Sequence, residues 1–200
     1  ARAEVIIEGH VLAGVREPEG PFGESTGAYF TNSSPVIEVT AVTHRRDFIF
    51  PALVTWTNDV DMLLTLAAGA ELLGQLKSLV RGVVDLELVP GTSSFAAVVS
   101  VRNCPAYEVR RLIHLALAID RRLKVLTVVD DDVDLRDPRE VAWAMSTRFN
   151  PEHDTVIVSG LEGYIIDPST AGGSGSRIGF DATKGAGAQF DKIAMPAEAV

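Results

Sequence analysis

Between residues 83 and 159 the hydrophobic period switches repeatedly between two and 3.6, and that succession constrains the fold more than any other feature. Residues 83–88 alternate, with Val84, Leu86 and Leu88 set against Asp85 and Glu87. Pro90-Gly91-Thr92 turns the chain, and residues 95–101 read as an apolar strand. Pro105 stands where a first helical turn accepts proline, and Val109, Leu112, Ile113, Ala116 and Leu117 follow as one helix face. Residues 124–129 read as a buried-type strand. Asp137-Pro138-Arg139-Glu140 has the pattern of a capping box with proline at the first helical position, opening a helix to about Arg148. Residues 155–159 form a further apolar strand. Strand, helix, strand, helix, strand predicts a βαβ layer with parallel pairing. From Gly160 the tail reads as loop, with Gly172-Gly173-Ser174-Gly175-Ser176 at its centre.

The first 82 residues have another rhythm. Residues 4–7 are strand-like and run into Gly9. Residues 13–34, rich in Gly, Pro, Ser and Thr, predict a long loop, and long loops in compact chains more often carry function than not. Residues 36–43 alternate, with Ile37, Val39 and Ala41 on one face. Leu63, Leu64, Ala67, Leu72, Leu76 and Leu79 predict a helix from about Asp61 to Val80, capped by Asn58 or Asp59 and ended by Gly82. The expected fold class is mixed α/β.

Charge and composition exclude several classes. Lys and Arg total 18 against 27 Asp and Glu, a net charge of −9, which disfavours nucleic acid and an anionic membrane surface as partners. Apolar runs break within about ten residues, short of a bilayer span. The single Cys104 excludes an internal disulfide and suits a reducing, cytoplasmic setting. The sequence starts at Ala1, without Met or a signal-peptide pattern and directly before a strand, and is expected to be part of a longer protein.

Most motif searches fail. His10, His44, His114 and His153 show no H-x-x-x-H spacing and there is no C-x-x-C, so no zinc site is expected within the chain. The glycine run 172–175 lacks the Lys-Ser/Thr of a P-loop, and no G-x-S-x-G elbow is present. The acidic run Asp130-Asp131-Asp132-Val133-Asp134 fails as a calcium loop, because Leu135 and Val141 stand where Gly and Glu are needed. These acids are expected to cap helices or to pair with Arg136 and Arg139. One local candidate remains. Glu19 and Glu24 flank Gly20-Pro21-Phe22-Gly23, which cannot be regular helix, so a tight turn can aim both acids at one pocket. Paired carboxylates in an apolar site can split into an acid and a base; two solvated surface glutamates are the other reading.

Several blocks then fall in a recognisable order. Glu19-Gly-Pro-Phe-Gly-Glu24 is followed by Thr26-Gly27-Ala28-Tyr29 and preceded by Glu4-Val-Ile-Ile-Glu-Gly9. Pro35-Val36 leads through a strand to Val42-Thr43-His44-Arg45. Later come Val128–Asp134, Arg139–Ala144, Thr147-Arg148-Phe149, and Ile178-Gly179 with Asp181-Ala182-Thr183-Lys184. Together they resemble the UbiD-type decarboxylases, which use prenylated FMN. The resemblance implies that residues 1–58 are the distal part of a split β-barrel that binds the flavin. It further implies a connecting helix at 59–82 and an α/β C-terminal domain at 83–200 that supports a homo-oligomer.

It also implies a chemistry: reversible non-oxidative decarboxylation of an aromatic, heteroaromatic or α,β-unsaturated acid, releasing CO2. By position Glu24 matches the proton donor, and Glu19 the acid that pairs with an arginine. The family's ubiquinone-pathway branch tends to have Asp in place of Glu24, which leans away from prenylated hydroxybenzoates. That arginine and the Asn, His and Glu metal ligands lie upstream in the family; the resemblance implies a divalent metal (Mn2+ or Mg2+) and K+ with most ligands upstream, so the 200 residues alone are expected to be inactive. The resemblance also implies a separate flavin prenyltransferase as supplier of the cofactor. Phe48 follows Asp47 where members usually carry Pro, and Ala28 replaces a frequent aromatic. His44 ends the strand after the signature loop and is a candidate for the substrate pocket; a turn histidine bonded to backbone is the other reading. The competing function is a non-catalytic assembly module of the same fold.

Overall fold

The protein was analysed as a computed structural model, which describes residues 2–55, 57–170, 173–185 and 193. Strands β1 (Val5–Gly23) and β2 (Tyr29–His44) form an antiparallel ribbon whose pairing runs from Val5 opposite His44 to Gly23 opposite Tyr29. The long loop expected at 13–34 is therefore mostly strand. Its glycines and prolines mark bulges instead of a loop: the register shifts between Val11 and Arg16 and again between Glu19 and Phe22. Gly20 shows why the residue type matters. Its φ is +97°, and a Cβ there would meet the Phe30 carbonyl oxygen at 2.6 Å. No described residue of 2–61 is buried.

Helix α1 (Asn58–Leu79) follows, with Asp59 and Asp61 in its first turn and Lys77 in its last, signs that suit the helix dipole. The chain divides into two compact units, residues 1–61 and 62–200. The second unit contains β3 (Val83–Leu88), β4 (Ala96–Val101), α2 (Ala106–Ile119), β5 (Val125–Asp130), α3 (Pro138–Thr147), β6 (Thr155–Glu162) and β7 (Ser174–Ala182). Both prolines start helices as the sequence predicts. The Asp137 carboxylate accepts from the Arg139 amide at 2.8 Å, and Glu140 accepts from the Asp134 amide at 2.8 Å.

The five strands form one mixed sheet in the order β3-β4-β5-β7-β6. β4, β5 and β7 are parallel, while β3 and β6 run antiparallel at the two edges. The β4-α2-β5 unit is thus the parallel crossover expected. The second expected crossover is not: β6 goes to the sheet edge and β7 inserts between it and β5. The segment that supplies β7 reads as loop because of its glycines. Gly179 lies so close under α2 that a Cβ would meet Ile113 Cγ2 at 2.2 Å, so a strand residue here has no room for a side chain. Gly172 lies outside the described residues, as do 186–192 and 194–200.

Strand alternation splits the sheet's apolar residues between two faces. Val99, Val101, Leu126 and Val128 face α1 and α2, packing on Leu72, Leu76, Leu112, Ile113 and Leu117. Val98 and Val129 take the opposite face with Ala144 of α3, and Trp143 and Phe149 pack against them. All five residues of the expected α2 face are fully buried. Each such large side chain is worth about 1.5–3 kcal/mol of burial. The buried Arg177 ends α2 by donating to the carbonyls of Leu117, Asp120 (3.1 Å) and Arg121 (3.0 Å), and it ties β6 to them through Glu162 O (3.0 Å). No described helix is long and apolar enough to cross a membrane.

Candidate active site

The two carboxylates singled out by the sequence lie at the turn end of the ribbon. The turn is tied by its own backbone: Glu24 N–H donates to Ala28 O at 2.9 Å and Gly27 N–H to Glu24 O at 3.0 Å. Thr26 Oγ1 accepts from the Ala28 amide at 3.4 Å. Glu24 therefore leaves the end of β1 from a fixed backbone. Glu19 sits opposite Asn32, before the Gly20-Pro21 bulge that re-aims the strand. Phe22, which lies between the two acids in sequence, meets Phe30 across the ribbon edge to face at 6.3 Å. Ser34 Oγ donates to Glu19 Oε2 across the ribbon.

His44 lies at the ribbon's other end, opposite Val5. Its Nδ1 is 2.7 Å from Arg45 O, and its ring is 5.0 Å from that of Phe48. Glu4 holds this end together, pairing with Arg45 at 2.7 Å and accepting from the Ile49 amide at 3.1 Å. Glu19 and Glu24 thus lie toward the turn end of the ribbon and His44 at the other end.

The described residues do not by themselves fit a flavin. Two strands exposed on both faces cannot enclose one, and the clefts of about 330 and 340 Å³ lie in the second unit, beside α1. Among the described residues no three His, Cys, Asp or Glu side chains come together as a metal site.

A second polar cluster forms where β5 and β7 end. Arg148, whose side chain is fully buried, donates to Asp130 at 3.2 Å and to both oxygens of Asp132 at 2.9 and 2.8 Å. Its guanidinium lies 4.6 Å from the centre of the Trp143 ring. Lys184 Nζ reaches Asp132 at 2.8 Å, and the Lys184 amide donates to Asp130 at 2.7 Å. The Arg148 hydrogen bonds hold the Asp132 carboxyl down at about 2. Burial pushes Asp130 and Asp181 above the ordinary carboxylate value. The expected partners of the acidic run, Arg136 and Arg139, are thus only partly right. Asp131 pairs with Arg102, and Asp134 accepts from the Arg136 amide at 2.9 Å. The signal was present in sequence, because Arg148 and Lys184 stand in two of the ordered blocks, but their convergence needs the sheet order.

Comparison with known proteins decides the family. Residues 1–58 match the 3-octaprenyl-4-hydroxybenzoate carboxy-lyase Rift-related domain, and residues 61–182 match the 3-octaprenyl-4-hydroxybenzoate carboxy-lyase C-terminal domain. The chain belongs to the UbiD family. Among solved structures, this UbiD-family chain is similar to the UbiD-class enzyme HmfF from Pelotomaculum thermopropionicum in complex with FMN, at 36% identity and a TM-score of 0.89. That match covers 96% of this chain and 44% of the other. An evolved dimeric form of HmfF in complex with prFMN is 34% identical, with a TM-score of 0.81, over 98% of this chain and 42% of the other. The apo 3,4-dihydroxybenzoic acid decarboxylase from Enterobacter cloacae is 27% identical, with a TM-score of 0.85, over 98% of this chain and 45% of the other. The UbiD-family chain therefore spans less than half the length of each of these structures.

Proposed function

We propose that these residues, together with sequence upstream of them, form a carboxy-lyase that reversibly decarboxylates an aromatic, heteroaromatic or α,β-unsaturated acid with prenylated FMN. The observation that carries this reading is the pair Glu19 and Glu24, set on a backbone-tied turn end within the segment that matches the Rift-related domain. HmfF with prFMN and the 3,4-dihydroxybenzoic acid decarboxylase support the cofactor and the substrate class. In this reading Glu24 gives a proton to the carbon that has lost CO2. Glu19 accepts charge-assisted hydrogen bonds from an arginine outside the chain and orients it toward the substrate carboxylate. Residues 1–58 serve as the distal part of the flavin domain, 59–82 as the connecting helix and 83–200 as the domain through which copies associate. Divalent metal and K+ ligands come from outside the chain.

The test is the absorption spectrum and mass of the flavin bound to full-length protein produced with a prenylated-flavin supply, followed by exchange of the substrate's α-proton in deuterated solvent. A bound modified flavin and exchange are expected. Protein that takes up no flavin and exchanges nothing overturns the reading in favour of an assembly module.

A further inference from the structure

We infer that Ser34, backed by Asn32, is a positioning residue for Glu19, an inference that rests on the role proposed above for Glu19. The register pairs Glu17 with Ser34 and Glu19 with Asn32, so these four side chains share one face of the ribbon and Ser34 is diagonal to Glu19. On that face the hydrogen bonds run one way. Asn32 Nδ2 donates to Ser34 Oγ at 3.5 Å, and Ser34 Oγ donates to Glu19 Oε2. A hydroxyl has one proton to give, and here it goes to the carboxylate while an amide occupies an oxygen lone pair. The residue after Ser34 is Pro35, which has no N–H, so no amide at that position competes with Asn32 for the lone pairs of the hydroxyl.

The consequence is geometric. Glu19 precedes a bulge, and glutamate has enough free torsions to point along several directions. Fixing Oε2 from across the ribbon sets the plane of the carboxylate and leaves Oε1 to receive a guanidinium. A misplacement of about 1 Å in a group that orients a reacting partner can cost on the order of 10² in rate. Ser34 does not touch the reacting atoms; it acts through Glu19.

The experiment combines kinetics with a readout that needs no flavin. In full-length, flavin-loaded protein, Ser34→Ala is expected to lower kcat at least tenfold with KM little changed. Ser34→Thr, which keeps the hydroxyl, is expected to restore most of it. In flavin-free protein labelled with 13C at glutamate carboxyls, the Glu19 resonance, assigned by its loss in Glu19→Gln, is expected to move in Ser34→Ala and to return in Ser34→Thr. An unmoved resonance overturns the inference, whatever the enzyme does. A moved resonance with unchanged kcat, where Glu19→Gln still abolishes turnover, overturns the role of Ser34 and leaves that of Glu19 standing. Unchanged turnover in Glu19→Gln itself overturns both.

Discussion

The ribbon of residues 5–44 and the sheet of residues 83–182 are both strand-built, yet they dispose of apolar side chains in opposite ways. The sheet splits its valines and leucines between two helix-covered faces and leaves residues such as Val99, Val128 and Val129 at zero exposure. The ribbon carries Ile7, Val11, Ile37 and Val39 at 52–66% exposure, and two unaccompanied strands are marginal in water. The difference separates two jobs. The second unit carries its own apolar core. The candidate carboxylates sit on the unit in which no described residue up to Asp61 is buried.

The largest expected effect lies on the ribbon and is not a stability effect. Glu24→Gln in full-length, flavin-loaded protein should cut decarboxylation by about 10²–10⁴, the usual loss with one general acid. Binding of flavin and substrate should persist. Glu19→Gln should also cripple turnover, and the double variant should be little worse than either single one, because residues that act as a unit are not additive. Near wild-type turnover of Glu24→Gln would return the turn to a pair of solvated carboxylates.

Stability should show the reverse asymmetry. Leu117, on the inner face of α2, is fully buried, and Leu117→Ala should cost about 2–5 kcal/mol in urea unfolding of the 200-residue chain. Val39, at 52% exposure, should cost within about 0.5 kcal/mol when changed to Ala in the same chain. If Val39→Ala proved as costly as Leu117→Ala, the ribbon would have a core of its own and the contrast would fail.

The cluster at the ends of β5 and β7 adds a pH dependence confined to the second unit. Asp132 is held at about 2 in the folded protein against an ordinary 3.8, so its ionised form adds stability above about pH 4. That contribution is lost as pH falls toward 2. Asp130 and Asp181 act in the opposite sense: their raised folded values penalise folding when they are ionised, and acid relieves the penalty. Asp132→Asn should lower stability at neutral pH and flatten the acid limb between pH 4 and 2, read by urea unfolding across a pH series. An unchanged acid limb would show that Arg148 and Lys184 do not stabilise the fold through Asp132.

How far the sequence could be read follows the same division. Helix α2 and its five buried residues were legible because the 3.6 period and Pro105 are local signals. β7 was not, since Gly175 and Gly179 look like loop residues until Thr170 and Ile113 are seen packed where their side chains would be. The place of β6 at the sheet edge was equally hidden, because no local pattern records which strand pairs with which. On the ribbon, the same glycines and prolines that exposed Glu19 and Glu24 as a candidate pair also disguised two long strands as a loop. The partner of Glu19 lies across the register: Ser34 is 15 residues away, and only pairing reveals it.

The smallest expected effect belongs to His44, and it sharpens the comparison within the ribbon itself. His44 and Glu24 are on the same ribbon but at opposite ends of it. The imidazole is occupied locally, with Nδ1 at the Arg45 carbonyl and the ring against Phe48. Nearby, Glu4 ties Arg45 and the Ile49 amide to the start of β1, so the turn keeps other anchors when the ring is removed. His44→Ala should therefore lose one backbone hydrogen bond of about 1 kcal/mol and one ring contact, and change kcat and KM less than about twofold. Steady-state kinetics on two substrates of different size would check it. A shift of tenfold or more in the preference between them would put His44 in the substrate pocket, and would mean that both ends of the ribbon, and not the turn end alone, face the reacting acid.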